Sequence, residues 1–176
     1  FHARFYGASH AQFAAVGDFD AEPVKALLGE LFGDWNSAEP WQRLAQPYRP
    51  VEAVKRIIET PEKQNAVFRA ALRVPVGDSH PDYPALRVAA QILGGGFISS
   101  RLANRLRQQE GVSYSVGAGF SASRVEQSGS FDAYAIHAPQ FRAKVETAFR
   151  EEIERAQREG FSAQEVADAQ NAIVRN

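Results

Sequence analysis

Residues 94–120 limit the possible folds of this 176-residue chain more than any other stretch. The stretch contains a glycine run, a short amphipathic segment, a single glycine and an alternating segment in close succession. The run consists of Gly94, Gly95 and Gly96. We expect it to end a helix, because glycine enters left-handed conformations at little cost. The chain must therefore pass from one helix into a second helix and then into a strand.

The segment after the glycine run predicts the second helix. Ser99 or Ser100 can cap its first turn. Leu102 and Leu106 lie four residues apart, so they share one side, which we expect to face the core. Gly111 ends the helix. The basic residues on its other sides are Arg101, Arg105 and Arg107.

The segment after Gly111 alternates between two kinds of side chain, which is typical of a β-strand. The larger residues are Val112, Tyr114, Val116, Ala118 and Phe120. The residues between them are Ser113, Ser115, Gly117, Gly119 and Ser121. The strand is therefore expected to have one apolar face. Its other face is poor in side chains, which would let another backbone or a ligand approach closely.

Arg107 and Tyr114 lie on either side of the glycine turn, late in the helix and early in the strand. A guanidinium and a phenol could therefore converge on one point. Both groups donate hydrogen bonds, so together they could hold a peptide carbonyl or the oxyanion that forms when it is attacked. The alternative is that Arg107 is a solvated cation that suits the helix dipole, and that Tyr114 is a core aromatic.

Short apolar runs and amphipathic helices follow one another along the rest of the chain. Strands are predicted over residues 13–18, 55–60, 66–74 and 130–137. Helices are predicted from the cap Asp20 to Gly33, over 85–93, over 141–156, and from the capping box of Ser162 and Glu165 onward. This order predicts an α+β fold: a two-layer sandwich of one mainly antiparallel sheet with helices on one face, in a single domain over residues 1–176.

Two groups of charged residues lie within the predicted strands and helices, and each can be interpreted by the face on which it lies. Arg69 and Arg73 alternate with apolar residues along one predicted strand, so they either face a partner domain or form a solvated sheet face. Glu151 and Glu152 are adjacent in the long predicted helix, and we interpret both as solvated charges on its polar side.

Glycine, arginine and tyrosine recur in this chain at the spacing of a known peptidase family. The matching residues are Gly95, Gly96, Ser100, Arg101, Leu102, Leu106, Arg107, Gly111 and Tyr114. This pattern resembles the second-half domain of the insulinase-like (pitrilysin-type, inverted zincin) metallopeptidases. Residues 5–7 and 15–19 look like the opening strand of that domain, and residues 82–86 look like the helix start before its glycine loop.

The resemblance implies that this domain completes a zinc active site whose metal lies elsewhere. Arg107 and Tyr114 would be the catalytic residues, which stabilise the carbonyl and oxyanion of the substrate. The substrate-binding residues would be Gly94, Gly95, Gly96, Ser100 and Arg101. The implied partners are a zinc-bearing sister domain or subunit and an unfolded peptide. On the alternative reading, the domain is a non-catalytic scaffold of the same fold.

The histidines of this chain do not form the zinc motif of the family, His-x-x-Glu-His. They are His2, His10, His80 and His137, and none lies four residues from another. We interpret them as packing or solvent-facing residues, and we expect zinc on the sister domain and no cofactor on this chain. The chain alone should therefore not hydrolyse peptides, since zinc proteolysis needs ligands and an open coordination position.

Composition narrows the possible partners and compartments. A net charge of −1 favours neither nucleic acid nor an anionic membrane as a partner. The absence of cysteine excludes disulfides and thiolate metal sites, but it leaves a periplasmic and a cytoplasmic location equally open. No apolar run is long enough to span a bilayer. Because the sequence also lacks methionine, we expect a fragment of a larger two-domain or two-subunit peptidase.

Overall fold

A computed structural model describes residues 1–39 and 42–175, and for Phe97 only the backbone. The chain forms two compact units, residues 1–45 and residues 46–176. Among the described residues, the second unit contains a three-stranded antiparallel sheet and four α-helices. The predicted α+β class is confirmed. None of the helices in the described ranges combines the length and apolar character that crossing a bilayer requires.

The first unit contains a short helix α1 (His2–Phe5) and a longer helix α2 (Ala21–Phe32). Helix α2 begins as predicted, because the backbone N–H of Glu22 donates to the Asp20 carboxylate at 3.2 Å. Gly33 is its C-cap residue. The helix is therefore confirmed, although none of its residues is buried.

Two of the predicted strands are absent from the described structure. Residues 13–18 and 55–60 have no paired strand beside them, and residues 5–7, which resemble an opening strand, begin at the end of α1. The prediction of strands there is wrong, because an apolar run forms a strand only where a neighbour takes its backbone N–H and C=O groups. The 55–60 segment is instead tied to a helix by Lys55 and Glu146, 2.5 Å apart.

The sheet of the second unit consists of β1 (Ala66–Val74), β2 (Ser113–Ala122) and β3 (Gly129–His137). Their spatial order is β1-β3-β2, and both pairings are antiparallel. The predicted strand over 66–74 and the predicted hairpin of β2 and β3 are confirmed. Within the described chain, β1 and β2 are the edge strands.

Alternation along the strands gives the sheet a helix-covered face and an open face. Phe68 pairs with Ala135; Ala135 is a core residue, 1 % exposed, and Phe68 is partly buried against the core cluster. Arg69 pairs with Tyr134, and Arg73 follows on the same, open face. The basic residues therefore line the open face, as the alternation predicts.

The helices of the second unit pack on one face of the sheet. They include α3 (Tyr83–Ala90), α4 (Arg101–Ala103), α5 (Arg142–Glu159) and α6 (Ala163–Arg175). Two π-helical segments, Gln91–Gly95 and Asn104–Gln109, extend α3 and α4, and short 3₁₀ turns span Phe97–Ser99 and Pro139–Phe141. The core cluster consists of Leu102, Leu106, Val112, Val116, Ala135, Val145 and Ala148.

Removal of a core leucine should destabilise the second unit. Leu106 is 1 % exposed, so we expect Leu106→Ala to lower the free energy of unfolding by about 2–5 kcal/mol. Leu72→Ala is the matched control, because Leu72 is 60 % exposed and should change stability by less than about 0.5 kcal/mol. Chemical denaturation of both variants measures the difference. Equal losses would show that Leu106 is not part of the core.

Candidate functional site

The glycine run lies where the helical layer touches β2. None of Gly94, Gly95 and Gly96 has a positive φ; among the glycines only Gly17, Gly111 and Gly160 do. The expectation of left-handed glycines at this point is therefore wrong. Close approach explains the first glycine instead, since a Cβ on Gly94 would lie 2.8 Å from the Cα of Ala118.

Gly94 and Gly95 also line an open cleft of about 420 Å³ at β2. Its other walls include Arg69, Asp132 and Tyr134 on the open face of the sheet. The ring of Tyr134 lies over Gly117, because a Cβ added there would meet the ring at 2.6 Å. Gly119, farther along β2, has open space where its Cβ would be. The backbone of β2 is therefore covered at Gly117 and accessible at Gly119, so the approach that the small residues predict is possible at one of these two glycines.

Arg107 and Tyr114 flank a single backbone hydrogen bond. Arg107 lies on the second π-helical segment, and π-helical turns are frequent at functional sites. That segment ends at Gln109, with Glu110 as its C-cap residue. Gly111 follows with a φ of +62°, and the N–H of Val112 then donates to the carbonyl of Leu106 at 3.0 Å. Leu106 and Val112 point into the core, whereas the side chains of Arg107 and Tyr114 are exposed.

Tyr114 is the extra residue of a β-bulge. Ser113 pairs with His137 and Ser115 pairs with Ile136, so two residues of β2 face one residue of β3. A bulge re-aims a side chain and is frequent beside active sites. Tyr114 is 58 % exposed, whereas Val116 is buried. The prediction that both lie on one face is wrong, and so is the alternative of a core tyrosine.

Arg101 joins the helix after the glycine run to the corner between α5 and α6. Its Nε and Nη2 donate to the two carboxylate oxygens of Glu165 at 2.6 and 2.8 Å. Nη2 also donates to the carbonyl of Gly160 at 3.0 Å, and the guanidinium lies 4.9 Å from the ring centroid of Phe161. These contacts hold the first residue of α4 in place against the corner between α5 and α6. Substrate binding by Arg101 stays a prediction.

Ser100 caps α4 and is itself almost fully buried, with 1 % of its surface exposed. The N–H of Ala103 donates to its hydroxyl oxygen at 3.4 Å, which confirms the predicted capping role. The neighbouring Ser99 hydroxyl donates to the carbonyl of Gly96 at 2.7 Å, which closes the turn after the glycine run. Direct substrate contact by Ser100 stays a prediction.

Hydrogen bonds to Glu165 lower its pKa to about 2. The largest cause is the Arg101 guanidinium; burial opposes it, and the backbone N–H and hydroxyl of Ser162 lower the pKa further. The same ion pair raises the pKa of Arg101. The capping box is confirmed, since the N–H of Glu165 donates to the Ser162 hydroxyl at 3.3 Å.

The two adjacent glutamates of α5 have different surroundings. Glu151 forms an ion pair with Arg105 at 2.6 Å. Glu152 is only 6 % exposed and forms an ion pair with Arg155 at 3.0 Å. The interpretation of Glu152 as a solvated charge is therefore wrong. Glu152 lies four residues after Ala148 and seven after Val145, so it shares their buried face of α5.

The histidines do not come together into a metal site. In the described part of the chain, no group of three or more His, Cys, Asp or Glu side chains could hold a metal ion. His137 is buried at the end of β3, where its Nδ1 lies 2.8 Å from the carbonyl of Ala138. His2 stacks on Tyr6 with ring centroids 5.0 Å apart. What this region can offer chemically is hydrogen-bond donors and accessible backbone.

A family model and the sequences of related proteins both relate this chain to peptidases. The family model described as the peptidase M16 inactive domain matches residues 1–173. Uncharacterised zinc proteases from Mycobacterium bovis and Mycobacterium tuberculosis are 29 % identical over 184 residues. The alignment covers 98 % of this chain and 39 % of each relative, so the chain spans about two fifths of their length.

Solved structures share the fold. A peptidase M16 inactive domain from Pseudomonas fluorescens superposes with a TM-score of 0.57 at 25 % identity, over 66 % of this chain and 27 % of that one. A protease from Helicobacter pylori gives a TM-score of 0.61 at 17 % identity, over 90 % and 39 % of the two chains. A periplasmic protease from Escherichia coli gives 0.58 at 18 % identity, over 90 % and 17 %.

Replacement of Glu165 should change how stability depends on pH. The folded-state pKa of Glu165, about 2, lies below the ordinary value of 4.5. The ionised carboxylate therefore contributes fully to the free energy of unfolding above pH 4.5, and this contribution is lost as the pH falls toward 2. We therefore expect Glu165→Gln to lower the Tm at pH 7. The difference in Tm between the variant and the wild type should become smaller as the pH falls from 4.5 to 2. Thermal unfolding from pH 7 to pH 2 measures it.

The matched control for this change is Glu59→Gln, a carboxylate for which the described structure contains no ion pair. It should leave the Tm close to that of wild type at every pH. A Tm gap for Glu165→Gln that stayed constant down to pH 2 would contradict the assigned ion pair.

Proposed function

The chain belongs to the peptidase M16 inactive-domain family, and from that premise we propose that it binds peptide and completes the active site of a zinc-dependent metalloendopeptidase. Its own part in the reaction is to supply hydrogen-bond donors and a peptide-binding surface. The partners in this proposal are a zinc-bearing sister domain or subunit and an unfolded peptide. The zinc on that sister domain would polarise the scissile carbonyl and lower the pKa of a bound water.

The observation that carries the proposal is the bulge that exposes Tyr114, seven residues after the exposed Arg107. A tyrosine with a role in the core would be buried, and in a regular strand the Tyr114 side chain would point to the same face as Val116. An exposed phenol and an exposed guanidinium on either side of the Leu106–Val112 hydrogen bond suit a substrate that approaches from outside this chain. A scaffold would need neither group.

Arg107 and Tyr114 have separate roles in the proposed reaction. The permanently charged guanidinium of Arg107 binds the substrate carbonyl next to the scissile bond and orients the peptide. The Tyr114 hydroxyl donates to the oxyanion, which exists only once the carbonyl has been attacked. Donors aimed at such a developing charge stabilise the transition state more than the bound substrate.

The glycine run supplies backbone rather than side chains to the peptide. Gly94 and Gly95 line the cleft at β2. Gly94 is buried against Ala118, whereas Gly95 is exposed, so Gly95 is the glycine of the pair whose main chain an extended peptide can approach. Gly96 ends the first π-helical segment and leads into the 3₁₀ turn, which sets the direction of this loop. Ser100 and Arg101 contribute by fixing the start of α4 behind it.

Removal of either donor should reduce turnover. We expect Arg107→Ala and Tyr114→Phe each to lower kcat by about 10²-fold or more, because a preorganised donor to the oxyanion contributes that much. The assay needs the complete peptidase, with its zinc-bearing part, and a fluorogenic peptide. Circular dichroism should show an unchanged fold, since both side chains are exposed.

Matched controls for these variants are Tyr6→Phe and Arg124→Ala. Tyr6 is 53 % exposed, close to the value for Tyr114, and Arg124 is exposed in the loop between β2 and β3. Both should keep wild-type turnover. Wild-type kcat in both Arg107→Ala and Tyr114→Phe would overturn the assignment of the site and favour a scaffold.

A methyl group in the cleft tests the role of the accessible backbone. Gly119 has no atom within 4 Å of an added Cβ, so Gly119→Ala should leave the fold intact. If peptide approaches β2 there, we expect KM to rise by about tenfold while kcat changes little. Gly29→Ala, on an open side of α2, is the control and should leave KM unchanged. An unchanged KM for Gly119→Ala would show that peptide does not occupy this part of the cleft.

A further inference from the structure

We propose that Ser113 is a positioning residue, whose hydroxyl holds the β-bulge that presents Tyr114 to substrate. The inference rests on the proposed function, since it assigns a residue that acts through Tyr114. Ser113 lies at the start of β2, with 6 % of its surface exposed. A side chain so buried does not itself meet the peptide.

The hydrogen bonds of Ser113 lie at the register shift. Its Oγ is 2.7 Å from the carbonyl oxygen of Ile136 and 3.0 Å from that of Ser115. Ser115 and Ile136 are the first pair after the bulge, one on each strand. A hydroxyl has one hydrogen to donate, so the two carbonyls share it, and the shorter distance favours Ile136.

A bulge needs such a donor because it interrupts the ladder. Two residues of β2 face one residue of β3, so the regular exchange of N–H and C=O groups fails at this point. A buried carbonyl left without a donor costs about 1–3 kcal/mol. The Ser113 hydroxyl supplies a donor to both strands at the interruption, which stabilises the shifted register.

The shifted register determines where the Tyr114 side chain points. Val116 pairs with Ala135 in the core, and both are buried, which fixes the later part of β2. If the bulge were removed and that pairing kept, counting back along a regular ladder would place Tyr114 opposite His137. His137 is 2 % exposed on the helix-covered face, so the phenol would turn toward the core.

The test compares Ser113→Ala with Ser113→Thr in the complete peptidase. We expect Ser113→Ala to lower kcat by about ten- to a hundredfold with little change in KM, because a misplaced catalytic group loses that much. Ser113→Thr keeps a hydroxyl and should restore most of the turnover. Ser121→Ala, on the same strand but exposed, is the control and should match wild type.

A double variant separates positioning from a general loss of stability. If Ser113 acts through the phenol, adding Ser113→Ala to Tyr114→Phe should lower kcat no further than Tyr114→Phe alone. A further loss of the same size in the double variant would show a merely structural role. Full turnover in Ser113→Ala, with Tyr114→Phe impaired, would likewise overturn the inference.

A crystal structure of Ser113→Ala distinguishes this inference from the proposed function. We expect the bulge to be lost or displaced, with Tyr114 moved from its exposed position. An unchanged register would overturn the role of Ser113 whatever the kinetics. If the bulge is lost and both Ser113→Ala and Tyr114→Phe keep full turnover, the role of Ser113 in holding the bulge stands and the catalytic assignment of Tyr114 fails.

Discussion

Burial of Leu102 and Leu106 against the sheet is the interaction on which the candidate site depends. Both leucines are 1 % exposed and share one core cluster with Val116 and Ala135. This packing holds the helix after the glycine run against β2, so Gly94 can approach the Ala118 backbone closely. The same packing fixes the end of the helix and the start of the strand, which carry the two exposed donors. Hydrophobic burial thus gives the site a rigid base without contributing a reactive group.

Local sequence signals predicted α2 of the first unit and most of the second unit, because helices and hairpins are specified largely by neighbouring residues. The cap at Asp20, the capping box at Ser162 and the alternation along residues 66–74 each involve groups a few residues apart. The strands predicted at 13–18 and 55–60 are not formed. An apolar run indicates a propensity for the extended conformation, but it does not show whether a neighbouring strand is available for pairing. The assignment of Arg107 and Tyr114 rests on their spacing together with the resemblance to the peptidase family, and it stays a prediction.

Contacts between residues distant in the chain could not be predicted in this way. Arg101 meets Glu165 across 64 positions, and no local pattern links the two. The bulge at Tyr114 depends on the register with β3, which alternation within one strand cannot reveal. In the structure the bulge is marked by the burial of both Val112 and Ser113, because a regular strand with one open face does not bury two neighbours.

The bulge also affects how readily β2, an edge strand of the sheet, can pair with a strand of another molecule. In the described chain β2 has a hydrogen-bonded neighbour on one side only, so its other side presents backbone groups that a foreign strand could join. An irregular step near its first residue, followed by glycines at 117 and 119, breaks the flat apolar template that such joining needs. The same irregularity that exposes Tyr114 therefore also discourages self-association along this edge strand.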